Sequence, residues 1–159
     1  MDPDNPVVRL CARGMEAEQA GDAAAARTLF QQAWDAHTNA YEGCIAAHYL
    51  ARHQPDDEAT RRWNLTALTL AGRAGSDEAA GFLPSLHLNM AASHQALGDV
   101  TAARAHLAVA ERTVGVLPGA PYAAVVRRGI TNGRARLDGA AAGDGAAAGD
   151  GAAAGHGAG

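Results

Sequence analysis

The sequence predicts an all-α fold of about three helical hairpins followed by one closing helix, on three observations. Apolar residues recur every three or four positions in seven successive runs, and no run alternates as a strand does. Two Gly-Asp pairs, Gly21-Asp22 and Gly98-Asp99, stand between such runs. At each, the glycine ends one helix and the aspartate caps the next. The small residues Gly14, Ala47 and Ala91 recur where two helices must touch, with large apolar groups close by in sequence.

Taken in order, Asp4-Asn5-Pro6 is a helix start, a capping side chain followed by proline in the first turn. The first helix carries Val7, Leu10, Cys11, Gly14 and Met15 and ends at Gly21. The second presents Ala26, Leu29, Phe30, Ala33 and Trp34 and fades near His37-Thr38-Asn39. A third, with Tyr41, Cys44, Ile45, His48 and Tyr49, stops at His53-Gln54-Pro55. Asp56-Asp57-Glu58 then places three carboxylates at the start of a fourth, where the helix dipole favours them. This helix shows Ala59, Trp63, Leu65, Leu68 and Leu70 and closes at Gly72 to Gly75. Ser76-Asp77-Glu78 opens a fifth, and Pro84 requires either a kink or a true start near Phe82. Ala102, Ala103, Leu107, Ala110 and Val114 make the sixth. After the breaker Leu117-Pro118-Gly119-Ala120-Pro121, a seventh helix runs from Tyr122 to Leu137.

From Asp138 the chain holds only Gly, Ala, Asp and one His, in three Gly-Ala-Ala-Ala-Gly-Asp/His copies starting at Gly139, Gly145 and Gly151. So little apolar area per residue does not offset the entropy of ordering, so residues 138–159 are expected to be a disordered tail. The body, 1–137, divides into hairpins at 6–38, 39–75 and 76–116 and a closing helix at 120–137. The net charge of −4 is modest and partly in the tail, which argues against nucleic acid or an anionic membrane as partner. Every basic residue is Arg, as codon bias in a high-GC bacterial genome would give. The start, acidic with two prolines, does not read as a secretory signal, and no run has the length of a membrane span. Two cysteines are too few for a secreted disulfide framework. A cytoplasmic protein is expected, with its oligomeric state open.

The hairpins share a register. The first reads Leu10-x2-Arg13-Gly14-x2-Ala17, Gly21-Asp22, Ala26-x3-Phe30, Ala33. The second reads Gly43-x2-Ala46-Ala47-x2-Leu50, then Ala59-x3-Trp63. The third reads His87-x2-Met90-Ala91-x2-His94, Gly98-Asp99, Ala103-x3-Leu107, Ala110. This resembles the tetratricopeptide repeat, a helix–turn–helix unit of about 34 residues. The resemblance spans roughly Val7 to Val116 and departs in the second unit, where Gln54-Pro55 replaces Gly-Asp. It implies a right-handed α–α superhelix, the last helix acting as a cap, with the first helix of each unit lining a concave groove. On that resemblance the groove residues are Val8, Cys11, Met15 and Glu18, then Tyr41, Cys44, His48 and Arg52. The third unit adds Ser85, Leu88, Ala92 and Gln95, with Asn89 beside them. Only Arg52 and Asn89 match the groups with which some members clamp a terminal carboxylate, so that clamp is not expected.

Other chemistry is weaker. Cys11 with Met15 and Cys44 with His48 share helix faces and would suit a soft metal, but small polarizable residues also fill alanine-rich grooves. His87, His94 and His106 read as half-buried histidines rather than ligands. Arg61-Arg62 and Arg127-Arg128 read as ion-paired surface. No metalloprotease, phosphate-loop or nucleophile-elbow motif occurs. The sequence therefore predicts a non-enzymatic scaffold that binds a protein or peptide segment in its groove, with no cofactor and no metal. The alternative is a regulatory protein that senses a small ligand or peptide.

Overall fold

The computed structural model of the chain describes residues 2–117 and 119–150. They form α1 (Pro6–Gln19), α2 (Ala23–Ala36), α3 (Ala40–Leu50), α4 (Asp57–Ala74), α5 (Asp77–Ala80), α6 (Leu83–Ala96), α7 (Val100–Thr113) and α8 (Ala120–Asp150). Single 3-10 turns follow α3 at Ala51–His53 and α7 at Val114–Val116. The described residues are all-α and contain no strand. No described helix is long and apolar enough to cross a membrane.

The helix starts are encoded in single side chains. Asn5, Asp22, Asn39, Asp56, Ser76 and Asp99 each accept a backbone N–H of the first turn that follows. Each such cap contributes about 1 kcal/mol. Pro84 lies in the first turn of α6, so the fifth predicted helix is the short α5 followed by a true start at Leu83. The two Gly-Asp turns are one structure used twice. Gly21 and Gly98 have φ of 80° and 79°, and Asp22 and Asp99 share ψ of 77°. In both, the aspartate N–H reaches back to a carbonyl five residues earlier, at Ala17 and His94.

Hairpins α1–α2, α3–α4 and α6–α7 stack in chain order, with α2 against α3 and α4 against α6. The core follows the stack as a series of clusters rather than one centre. Val7, Cys11, Phe30, Ile45 and Leu50 join the first hairpin to the second. Trp34 and Trp63 meet edge-on with centroids 4.9 Å apart and are half-buried.

Two features depart from the sequence reading. In α4 the buried residues are Ala59, Asn64, Ala67 and Ala71, whereas Leu65 is 43% exposed. The link before α4 is longer than a Gly-Asp turn and Asp56 is the cap, so Ala59 and Trp63 stand one residue closer to their cap than Ala26 and Phe30 do, and Asn64 is enclosed beside them. Helix α8 continues past Leu137 to Asp150. The tail expected from Asp138 thus begins inside that helix, and its last part, 151–159, lies outside the described residues.

Candidate functional site

Positions counted from the helix caps define the site. Eight residues after their caps, α2 and α7 bury Phe30 and Leu107, and the equivalent residue of α4 is Asn64. Four residues after the caps stand Ala26 and Ala103, but Thr60 in α4. Eight residues after its cap the middle hairpin therefore buries a polar group where its neighbours bury apolar core. Asn64 is 4% exposed and its Nδ2 donates to Ser93 Oγ on α6 at 2.9 Å, with Ser93 also 4% exposed. Asn64 Oδ1 is buried and has no hydrogen-bond partner among the described residues. An unpaired buried acceptor costs about 1–3 kcal/mol.

These residues border an open cavity of about 310 Å³ between the second and third hairpins. Arg52, Asp57 and Asn89 contribute further polar groups to its walls, and Ala51, Ala92 and Ala96 the apolar ones. Arg52 is held by neighbours: its Nη2 donates to Glu18 Oε2 at 2.8 Å, and its guanidinium lies 5.2 Å from the Tyr49 ring centroid. Glu18 also meets His53 Nε2 at 2.7 Å, so one carboxylate of α1 fixes two residues of the turn after α3. Asn89 Nδ2 lies 3.3 Å from His48 Nδ1, which joins α6 to α3. Burial first, and then the charge of Arg52, pulls the His48 imidazole down to about 4, so its ring is neutral at pH 7. Phe82 stands edge-on to both Tyr41 and His48, at 6.1 and 6.4 Å between centroids.

Of the residues predicted to line a groove, the structure joins Glu18 to Arg52 and His48 to Asn89, and gathers Tyr41 with His48 around Phe82. Others are placed elsewhere. Cys11 and Cys44 are buried, free thiols in two separate clusters, and burial pushes both up to about 12. Neither thiol faces solvent, because alanine-rich helices approach closely enough to enclose it. Val8 and Met15 are half-buried against the first cluster, and Ser85 is buried with its hydroxyl donating to Phe82 O at 2.9 Å. Leu88 lies between the third hairpin and α8, where a Cβ on Gly129 would be 2.5 Å from its Cδ2. Gln95 Oε1 accepts from Arg136 Nε of α8 at 3.3 Å, whereas Ala92 is exposed beside the cavity. The closing helix therefore covers part of the face the third unit was expected to present.

Thr60, Asn64 and Ser93 were missed as site residues. A signal existed for Asn64, which interrupts an alanine stripe with Ala67 and Ala71 at helical spacing. No family model, curated protein or solved structure matches this chain.

Proposed function

We propose that this is a non-enzymatic interaction scaffold of the tetratricopeptide-repeat kind, a right-handed superhelix that takes a segment of a partner protein at the junction of its second and third hairpins. The observation that carries the reading is Asn64. A position filled by Phe30 and Leu107 in the other hairpins holds an amide with an unpaired buried carbonyl beside an open cavity. A fold retains such a costly group where a ligand can supply the missing donor, and a peptide backbone offers N–H donors for Asn64 and carbonyl acceptors for Asn89 and Arg52. The partner is a protein segment rather than nucleic acid, since Arg61 and Arg62 are paired with Glu58 and Arg134 with Glu111. The cytoplasm is the compartment this reading assumes.

The cavity's volume also favours a second reading, a sensor of a small polar ligand. Capture from native lysate by the full chain, compared with a folded Arg52→Ala/Asn89→Ala variant, decides between them. A protein retained by the wild type and lost from the variant supports the scaffold. No such protein, together with a rise in Tm on adding small polar compounds, overturns it in favour of the sensor.

A further inference from the structure

The α1–α2 and α6–α7 hairpins share one turn geometry, so their residues compare position by position, 77 apart from Gly21 to Gly98. In that register Leu10, Ala17 and Leu29 of the first hairpin correspond to His87, His94 and His106 of the third. The same architecture is built with aliphatic groups in one place and three imidazoles in the other, so the histidines are not needed to make the hairpin.

Their geometry is specific. His87 Nδ1 and His106 Nδ1 lie 2.9 Å apart across the α6–α7 seam. His94 also stacks on His106, with centroids 5.3 Å apart and planes 17° from parallel. Asp99, the cap of α7, places Oδ2 3.4 Å from His94 Nδ1, which ties that stack to the turn. All three rings are half-buried and so retain a route to solvent.

Two nitrogens at right angles about one ion, each bonded at about 2.0–2.1 Å, are ~2.9 Å apart, whereas tetrahedral geometry needs ~3.3 Å. We propose that His87 and His106 form a two-imidazole site for a divalent cation of square-planar or tetragonal preference, of the copper(II) or nickel(II) class. Among the described residues no three His, Cys, Asp or Glu side chains are arranged to hold an ion together, so water fills the remaining positions. With the ion bound, both Nδ1 lone pairs would face it in place of the hydrogen bond that joins the two rings without it. The ring that donates across the seam without metal then carries its proton on Nε2, so no net proton is released.

The test is titration of the full chain with copper(II) in the presence of glycine as competing chelator, read by electron paramagnetic resonance. One equivalent should bind with the nitrogen splitting of two imidazoles. His87→Gln and His106→Gln should each lose that splitting and weaken binding at least ~10-fold, the loss that even an outer-shell change produces. His156→Gln should change nothing. To separate ligand loss from misfolding, H87L/H106L restores the aliphatic pair of the first hairpin and should fold with wild-type helicity while binding no tighter than glycine allows. Wild-type copper affinity in folded H87L/H106L, or a signal that disappears only in His156→Gln, overturns the proposal. The outcome is independent of Asn64 and its cavity, which these substitutions leave intact.

Discussion

Asn64→Leu is the most informative single change, because Asn and Leu have the same number of side-chain heavy atoms and the same branching. The substitution adds almost no bulk and gives α4 the kind of residue that Phe30 and Leu107 provide in the neighbouring hairpins. Three contributions compete. Removing the unpaired Oδ1 recovers about 1–3 kcal/mol. Replacing a buried amide by a buried isobutyl group contributes about another 1.5–3 kcal/mol at most, less because one side of the residue borders the open cavity. Against these stands the lost bond to Ser93, about 0.5–1.5 kcal/mol, with Ser93 left to find water in that cavity. The balance is stabilising by about 1–3 kcal/mol. Urea unfolding followed by circular dichroism measures it, as a higher midpoint at unchanged slope. The same variant should lose capture of the partner. A midpoint lowered by the equivalent of more than ~1 kcal/mol would refute the reasoning, because Asn64 would then be a structural group and not one kept at the expense of stability. A more stable variant that captures the partner undiminished would separate the cavity from binding and leave the unpaired carbonyl without a purpose.

Other perturbations test the surrounding argument. Gly14→Ala would drive a methyl group into the Phe30 ring, and that ring is fully buried and stacked on Tyr49, so it cannot withdraw. Thermal unfolding should show a net loss of about 1–3 kcal/mol from overpacking, whereas Gly72→Ala, with open space around it, should gain about 0.5–1 kcal/mol. Equal effects of the two would remove close helix approach as the reason for Gly14. Glu42→Ala strips a buried carboxylate that accepts from Asn5 Nδ2 at 2.7 Å, Thr38 N at 2.7 Å and Thr38 Oγ1 at 2.9 Å. Burial alone would raise this carboxyl, but those bonds hold it below its usual range, and calorimetry should record a loss of about 2–4 kcal/mol at neutral pH. His48 titrates near 4 when folded and near 6.5 when unfolded, so between those values the unfolded chain binds the extra proton. Stability should therefore fall with decreasing pH across that window, by up to about 1.4 kcal/mol per pH unit from this group. His48→Gln should flatten that slope, and an unchanged slope in equilibrium denaturation would show that His48 is not its source.

Local chemistry was legible in the sequence. Side chains at Asn5, Asp22 and Asp99 cap helices wherever they precede an amphipathic run, and glycine at Gly21 and Gly98 takes a left-handed φ that other residues resist. These are nearest-neighbour effects, which is why the all-α class, the Gly-Asp hairpins and the proline-limited start of α6 could be read without coordinates. Periodicity also found the small residues at the crossings, since a 3.6-residue repeat is a property of one helix.

Residues that acquire meaning only between helices were not legible. Asn64 is buried because α6 brings Ser93 against it, while the adjacent Trp63 packs half-buried against two core clusters, and neither placement is visible in α4 alone. Cys11 and Cys44 share groove-like spacing with half-buried residues of the same helices, yet the approach of neighbouring helices encloses both thiols. Leu88 and Gln95 are covered by α8, a contact no single helix announces. Capping and turn preference act over a few bonds and are written in the chain. Burial is decided by what the rest of the chain brings to each helix face, and only tertiary packing determines that.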